Sequence, residues 1–147
     1  MTRESLYDLV VEDAAATTAW VAEFATRLEP GDVLAFYGTL GTGKTFISQR
    51  LTEWLGAAER ASSPTFTILN QYTASDGMPI YHFDFYRIEK EGELQNLGLD
   101  DFFYGEGICL IEWAEKVEAL LPARRYEIRL ELVPDRPEAR RIRVWRL

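Results

Sequence analysis

Soft metal ligands are almost absent from this chain: one cysteine, Cys109, and one histidine, His82, in 147 residues. A lone cysteine excludes an internal disulfide framework, and one Cys with one His leaves a zinc site nothing to build on. Cys109 lies in the apolar run Ile108-Cys109-Leu110-Ile111, which predicts a buried, inert thiol rather than a nucleophile. No stretch approaches the ~20 consecutive apolar residues that a membrane-spanning helix needs. The opening Met1-Thr2-Arg3-Glu4-Ser5 carries neither the basic nor the apolar region of a secretory signal. Internal repeats and low-complexity linkers are missing too. These absences lead us to expect a cytoplasmic protein with no membrane segment, residues 1–147 forming one domain. Its 47% apolar and 13% aromatic content is ample for a single core.

Net positive charge is also lacking. The formal charge is −8, which argues against a general nucleic-acid binder. It is unevenly spread: residues 123–147 hold eight arginines against four acids, a local +4 that leaves −12 for the rest. Arg129, Arg141 and Arg143 stand in two alternating runs, Tyr126 to Leu132 and Arg141 to Leu147, separated by Pro134-Asp135-Arg136-Pro137. This pattern predicts a terminal β-hairpin. Its arginines are either the solvated face of a sheet or a docking surface for RNA or an acidic partner.

What is present in strength is a phosphate-binding pattern. Gly38-Thr39-Leu40-Gly41-Thr42-Gly43-Lys44-Thr45 has the spacing G-x-x-x-x-G-K-[ST] and directly follows the apolar run Val33-Leu34-Ala35-Phe36-Tyr37. A buried strand, a glycine-rich turn and a helix opening at the lysine are the context this pattern requires. The glycines let backbone N–H groups converge on an anion, and the helix adds its positive end there. Lys44 is placed to reach β- and γ-phosphates, and the Thr45 hydroxyl to ligate Mg²⁺. The alternative, a chance glycine turn before a helix, explains neither the Lys-Thr pair nor the preceding strand.

The remaining pattern reads as α/β. Leu6 to Val11 suits a first strand. Asp13 suits the N-cap of a helix running to Leu28, with Trp20, Val21, Phe24 and Leu28 on one face. The helix from Gly43 buries Phe46, Ile47, Leu51 and Leu55 and stops at Gly56. Thr65 to Leu69 and Pro79 to Phe83 read as extended segments joined by a turn around Ser75-Asp76-Gly77. A short helix plus loop covers Glu89 to Asp101. A strand at Ile108 to Ile111 leads into a helix from Trp113 that ends near Pro122. Alternating strands and helices predict a P-loop NTPase-like fold, a mostly parallel or mixed sheet flanked by helices, closed by the C-terminal hairpin.

A triphosphatase also needs a carboxylate near the metal. Glu112 ends the run Ile108 to Ile111, and Asp84 ends Ile80-Tyr81-His82-Phe83. Ligands of open α/β sheets gather at the carboxyl ends of strands, so both acids are candidates. The competing explanation for either is a helix cap or a surface acid. His82, between Tyr81 and Phe83, reads as a core histidine.

Taken together, the loop, Ser63-Pro64-Thr65-Phe66-Thr67, His82-Phe83-Asp84-Phe85-Tyr86-Arg87 and Ile111-Glu112-Trp113-Ala114-Glu115-Lys116 resemble, in that order, the TsaE (YjeE) family. These are small bacterial ATPases of threonylcarbamoyladenosine formation at tRNA position 37. The likeness runs from about the first helix to the helix after Trp113, and the arginine-rich hairpin carries no matching motif. It implies that Lys44 and Thr45 hold ATP and Mg²⁺, with Glu112 as second protein ligand of the metal. It further implies that Thr65, in a switch-like Ser63-Pro64-Thr65 loop, senses the γ-phosphate or metal, and that Asp84 is the other acidic site position with Arg87 its basic neighbour. Arg87 equally suits a salt bridge to the Glu89–Glu93 acids, and Trp113 either covers the nucleotide or packs under the next helix. With no arginine finger or water-positioning glutamine evident, isolated turnover is expected to be slow. The resemblance implies that protein partners like TsaB and TsaD complete the reaction, tRNA being met through that complex. A small-molecule or nucleotide kinase, or a nucleotide-dependent binding module that does not hydrolyse, would use the same loop.

Overall fold

The computed structural model describes residues 3–39, 41–58, 68–94 and 97–147. Its strands are β1 (Glu4–Val11), β2 (Val33–Tyr37), β3 (Leu69–Thr73), β4 (Pro79–Asp84), β5 (Ile108–Glu112), β6 (Tyr126–Val133) and β7 (Arg136–Arg146). Its α-helices are α1 (Ala14–Ala25), α2 (Lys44–Trp54) and α3 (Leu99–Phe103), and two 3₁₀ segments cover Glu91–Leu94 and Ala114–Leu120. All seven strands share one sheet in the order β1-β7-β6-β2-β5-β4-β3. The four central strands are parallel, while the outer pairings β1–β7, β7–β6 and β4–β3 are antiparallel. The expected mixed sheet with a C-terminal hairpin is therefore the observed fold.

Burial follows from composition. Every residue of β2 and β5 is buried, as near-continuous apolar runs demand of parallel strands covered on both faces. Alternate residues feed two cores. Leu34, Phe36, Ile80, Ile108 and Leu110 pack towards α1 and α2, where Phe24 stacks on Trp20 at 5.2 Å between centroids. Val33, Ala35, Phe83, Cys109 and Ile111 pack towards α3 and the Ala114–Leu120 segment. Cys109 is fully buried, and burial pushes its thiol up to about 12, which leaves it unreactive as expected.

Local chemistry shifts several expected boundaries. Asp13 caps α1 as predicted, its Oδ1 accepting from Ala16 N–H at 2.9 Å. The helix ends at Ala25 instead of Leu28, because Thr26, Arg27 and Leu28 donate to carbonyls three residues back, a 3₁₀ tightening ahead of Pro30. The segment after Trp113 is 3₁₀ rather than α, interrupted at Val117, whose φ of −127° is not helical. β7 begins at Arg136, before the expected Arg141. Asp135 takes φ +63° and closes the hairpin in two residues, a conformation aspartate tolerates. Pro137 is accommodated beyond Arg140, where pairing with β1 ends. β3 covers Leu69–Thr73, and Thr65, Phe66 and Thr67 of the expected extended segment lie outside the described residues.

The hairpin arginines are engaged within the sheet. Arg141 makes a two-pronged pair with Asp8 at 2.9 and 2.8 Å, Arg143 pairs with Glu131, and Arg136 pairs with Glu12. Arg129 lies over the Tyr37 ring at 4.6 Å.

Candidate functional site

The site is built where β2, β4 and β5 end side by side. β2 delivers the glycine-rich turn, which bends through Gly38, Gly41 and Gly43 at φ +154°, +82° and +104°. Gly38 has a second reason to be glycine. A Cβ there would meet the Leu130 carbonyl oxygen at 2.8 Å and Thr42 Oγ1 at 2.7 Å. Thr42 is buried, and its hydroxyl donates to the Thr39 carbonyl at 2.8 Å, so it shapes the loop instead of facing a ligand. Thr39 is exposed, and Leu40 lies outside the described residues.

Lys44 opens α2 from Gly43 and is only 5% exposed. Its Nζ donates to the Gly38 carbonyl at 2.5 Å and sits 3.6 Å from the centroid of the Trp113 ring. Burial pulls its pKa below the ordinary lysine value, while the carboxylates of Glu115, Glu112 and Asp84 pull the other way. Trp113 takes φ +58°, a conformation costly for a bulky side chain and the kind that clusters at functional sites. Its ring also packs against Tyr86 at 5.0 Å.

The two acids stand in register, Asp84 opposite Glu112 across the β4–β5 pairing. Glu112 is 2% exposed, and its Oε1 accepts from the Thr45 hydroxyl at 2.8 Å. Asp84 is half-buried, with Oδ1 accepting from Tyr86 N–H at 3.0 Å. Gly41, Thr42, Gly43, Lys44, Thr45, Asp84, Glu112 and Trp113 share one pocket of about 350 Å³. Arg87 is exposed beyond β4 and does not line this pocket. Ser63, Pro64 and Thr65 lie outside the described residues.

Thr45 and Glu112 offer adjoining oxygen donors, and no group of three or more His, Cys, Asp or Glu stands together among the described residues. That donor set fits Mg²⁺, which binds through one or two protein oxygens and takes the rest of its shell from phosphates and water. A second pocket of about 250 Å³ adjoins the loop, lined by Ala14 and Thr17 of α1, Phe46 of α2 and Leu130, Arg140 and Ile142 of the hairpin, among others. Arg140 Nη2 also donates to the Gly41 carbonyl at 3.2 Å.

Sequence reasoning missed three of these contacts. Arg140 touches the loop only because β7 returns beside β6. Lys116 Nζ donates to the carbonyls of Tyr86 and Ile88, tying the segment after β4 to the one after β5. His82 reaches Glu112 with Nε2 2.5 Å from Oε2. The one signal available was the period of β4, which puts His82 on the same face as Asp84.

A parallel sheet centre with a glycine turn leading from β2 into α2 defines a P-loop NTPase-like α/β domain. Within that class, the family model for "Threonylcarbamoyl adenosine biosynthesis protein TsaE" matches residues 11–142. Three proteins named tRNA threonylcarbamoyladenosine biosynthesis protein TsaE are similar to this chain. The one from Bacillus subtilis is 44% identical over 125 residues, covering 84% of this chain and 75% of that protein. The one from Treponema pallidum is 35% identical over 126 residues, covering 86% and 92%. The one from Haemophilus influenzae is 34% identical over 116 residues, covering 78% and 73%. A crystal structure of Bacillus subtilis YdiB superposes with a TM-score of 0.78 at 33% identity, covering 99% of this chain and 88% of that one. The chain belongs to the TsaE family of tRNA threonylcarbamoyladenosine biosynthesis proteins. No described helix is long and apolar enough to cross a membrane.

Proposed function

We propose that this chain is a cytoplasmic, one-domain ATPase. It hydrolyses ATP slowly alone and drives or resets a partner complex that forms threonylcarbamoyladenosine at tRNA position 37. The observation that carries the reading is the convergence of Lys44, Thr45 and Glu112 on one pocket beside the loop. The N–H groups of Gly41, Thr42, Gly43 and Lys44, with the Lys44 ammonium, would take up the phosphate charge. Thr45 and Glu112 would hold Mg²⁺, which supplies charge neutralisation at the β- and γ-phosphates. Asp84, on the adjoining strand end, would orient water, with Thr65 as γ-phosphate sensor on the strength of the family resemblance. Trp113 would close the phosphate end of the pocket, Arg87 would approach it from the loop beyond β4, and the pocket between α1, Phe46 and the hairpin would take the base. Partners resembling TsaB and TsaD would gate turnover, and tRNA would be met through them.

The test is phosphate release measured alone, with partner proteins, and with partners plus tRNA. Slow release alone and a marked rise with partners are expected. Tight ATP binding with no release in any mixture would reduce the protein to a nucleotide-dependent binding module.

A further inference from the structure

The chain's only histidine has no part in the reading above, yet its surroundings are not those of a core filler. His82 is 0% exposed. On β4 it lies two residue pairs before the Asp84–Glu112 register, opposite Leu110 of β5 and Asn70 of β3. Below the strand-end acids, Ile80, Ile108 and Leu110 on the same face pack towards α1 and α2. Nδ1 is buried and has no hydrogen-bond partner among the described residues. An aliphatic side chain would fill this position without stranding a polar atom. What the imidazole adds is one contact, Nε2 to Glu112 Oε2 at 2.5 Å. A carboxylate can only accept, so Nε2 carries the hydrogen.

Glu112 is thereby held at both oxygens, Oε1 by the Thr45 hydroxyl and Oε2 by His82. The terminal torsion of a glutamate is broad and two-fold. With Thr45 as its only partner, the carboxylate would swing about that single contact. With the second anchor its plane is set, and Oε1 is presented towards Thr45 and the pocket beside the loop. We propose that His82 is a positioning residue for Glu112, fixing the rotation of the carboxylate that faces the metal. This rests on the reading that Thr45 and Glu112 hold Mg²⁺. Hydrogen-bonded supports of metal-binding carboxylates and imidazoles carry 10–100-fold effects on metal affinity.

The test uses untagged protein and ADP, with affinity followed by calorimetry across a Mg²⁺ series. Gln places its amide nitrogen near the position of Nε2, whereas Asn falls short of Glu112. His82→Asn should raise the Mg²⁺ concentration for half-maximal enhancement of ADP binding about tenfold or more, with Mg²⁺-free ADP affinity unchanged. His82→Gln should return that concentration most of the way to wild type. A folded His82→Asn with wild-type Mg²⁺ dependence overturns the proposal and leaves His82 as packing. Wild-type protein that binds ADP equally with and without Mg²⁺ brings down the metal reading itself, a different result from the first. Should His82→Asn fail to fold, nitrogen NMR of the one imidazole in the wild-type chain decides. A proton on Nε2, whose signal moves when Mg²⁺ joins the ADP complex, is expected. A proton on Nδ1, or an Nε2 signal that Mg²⁺ leaves unmoved, overturns the assignment.

Discussion

Replacing Lys44 with methionine removes the charge while keeping the length of the side chain. Lys44 is buried and its ammonium is held by the Gly38 carbonyl at 2.5 Å and the face of Trp113. A phosphate arriving about 4 Å from Nζ would interact by about 4 kcal/mol at the effective dielectric of a protein surface. Part of that gain is returned, because the charge-assisted hydrogen bond to Gly38, of about 2 kcal/mol, is given up. The difference, about 2 kcal/mol, corresponds to about thirty-fold in Kd. Calorimetry of ATP binding to Lys44→Met should therefore show a loss of that order, with thermal unfolding close to wild type. A folded variant with less than threefold loss would refute the assignment of Lys44 to phosphate. The pH dependence carries an independent sign. Burial lowers the Lys44 pKa in the free protein, so its charged form costs stability at neutral pH, and that cost is relieved as pH rises through the lowered pKa. Bound phosphate moves the pKa back up. Between the two values binding takes up a proton, and ATP affinity falls as pH rises through that alkaline window. Lys44→Met should show neither effect.

The two strand-end acids should separate by measurement. Glu112→Ala is expected to weaken Mg²⁺-dependent ATP binding by about 10–100-fold, while Asp84→Ala leaves binding nearly intact and lowers phosphate release with partners present; wild-type release from Asp84→Ala would make that acid structural. Gly38→Ala forces a Cβ against the Leu130 carbonyl at a residue with φ +154°, and a lower melting temperature with weakened ATP binding should follow from about 1–3 kcal/mol of strain. Unchanged melting would show that the loop yields. Reversing Arg129, Arg141 and Arg143 to Glu breaks contacts to Tyr37, Asp8 and Glu131, so stability should fall modestly while ATP affinity and partner assembly hold. A salt-sensitive loss of partner in a pull-down would instead make this face a docking surface.

How much the chain disclosed of itself depended on whether the information was local. The glycine-rich turn into α2, the Asp13 cap and the C-terminal hairpin are written in consecutive residues, and all three are present, the hairpin with a second strand that starts earlier than its pattern placed it. The end of α1 was overestimated because Leu28 still packs on the core while its backbone has already tightened out of α geometry. The segment after Trp113 has helical spacing but begins from a left-handed residue and breaks at Val117, neither of which a hydrophobic pattern encodes. The candidate site was legible as a set of residues and not as a set of contacts. Glu112 and Asp84 were recognisable as strand ends, but His82 meets Glu112 only once β4 lies beside β5, 28 residues apart in register. Likewise, the charge of the hairpin looked free in the linear pattern because Asp8, the partner of Arg141, is on the first strand.

The sheet order also governs when the loop comes into being. β2, which carries it, has no sequence neighbour beside it: Val33 pairs with Cys109 and Leu34 with Tyr126. The β3–β4 and β6–β7 hairpins can zip from their own turns, whereas the centre closes only when segments 76 and 92 residues away arrive. Non-local parallel pairing is slow to form, since the chain entropy of closure is lost before any contact repays it. The glycine-rich turn is thus framed only once strands distant in sequence have docked on both sides of β2. A nucleotide bound as proposed would meet the finished sheet alone, and by mass action would favour the state in which those distant pairings are closed.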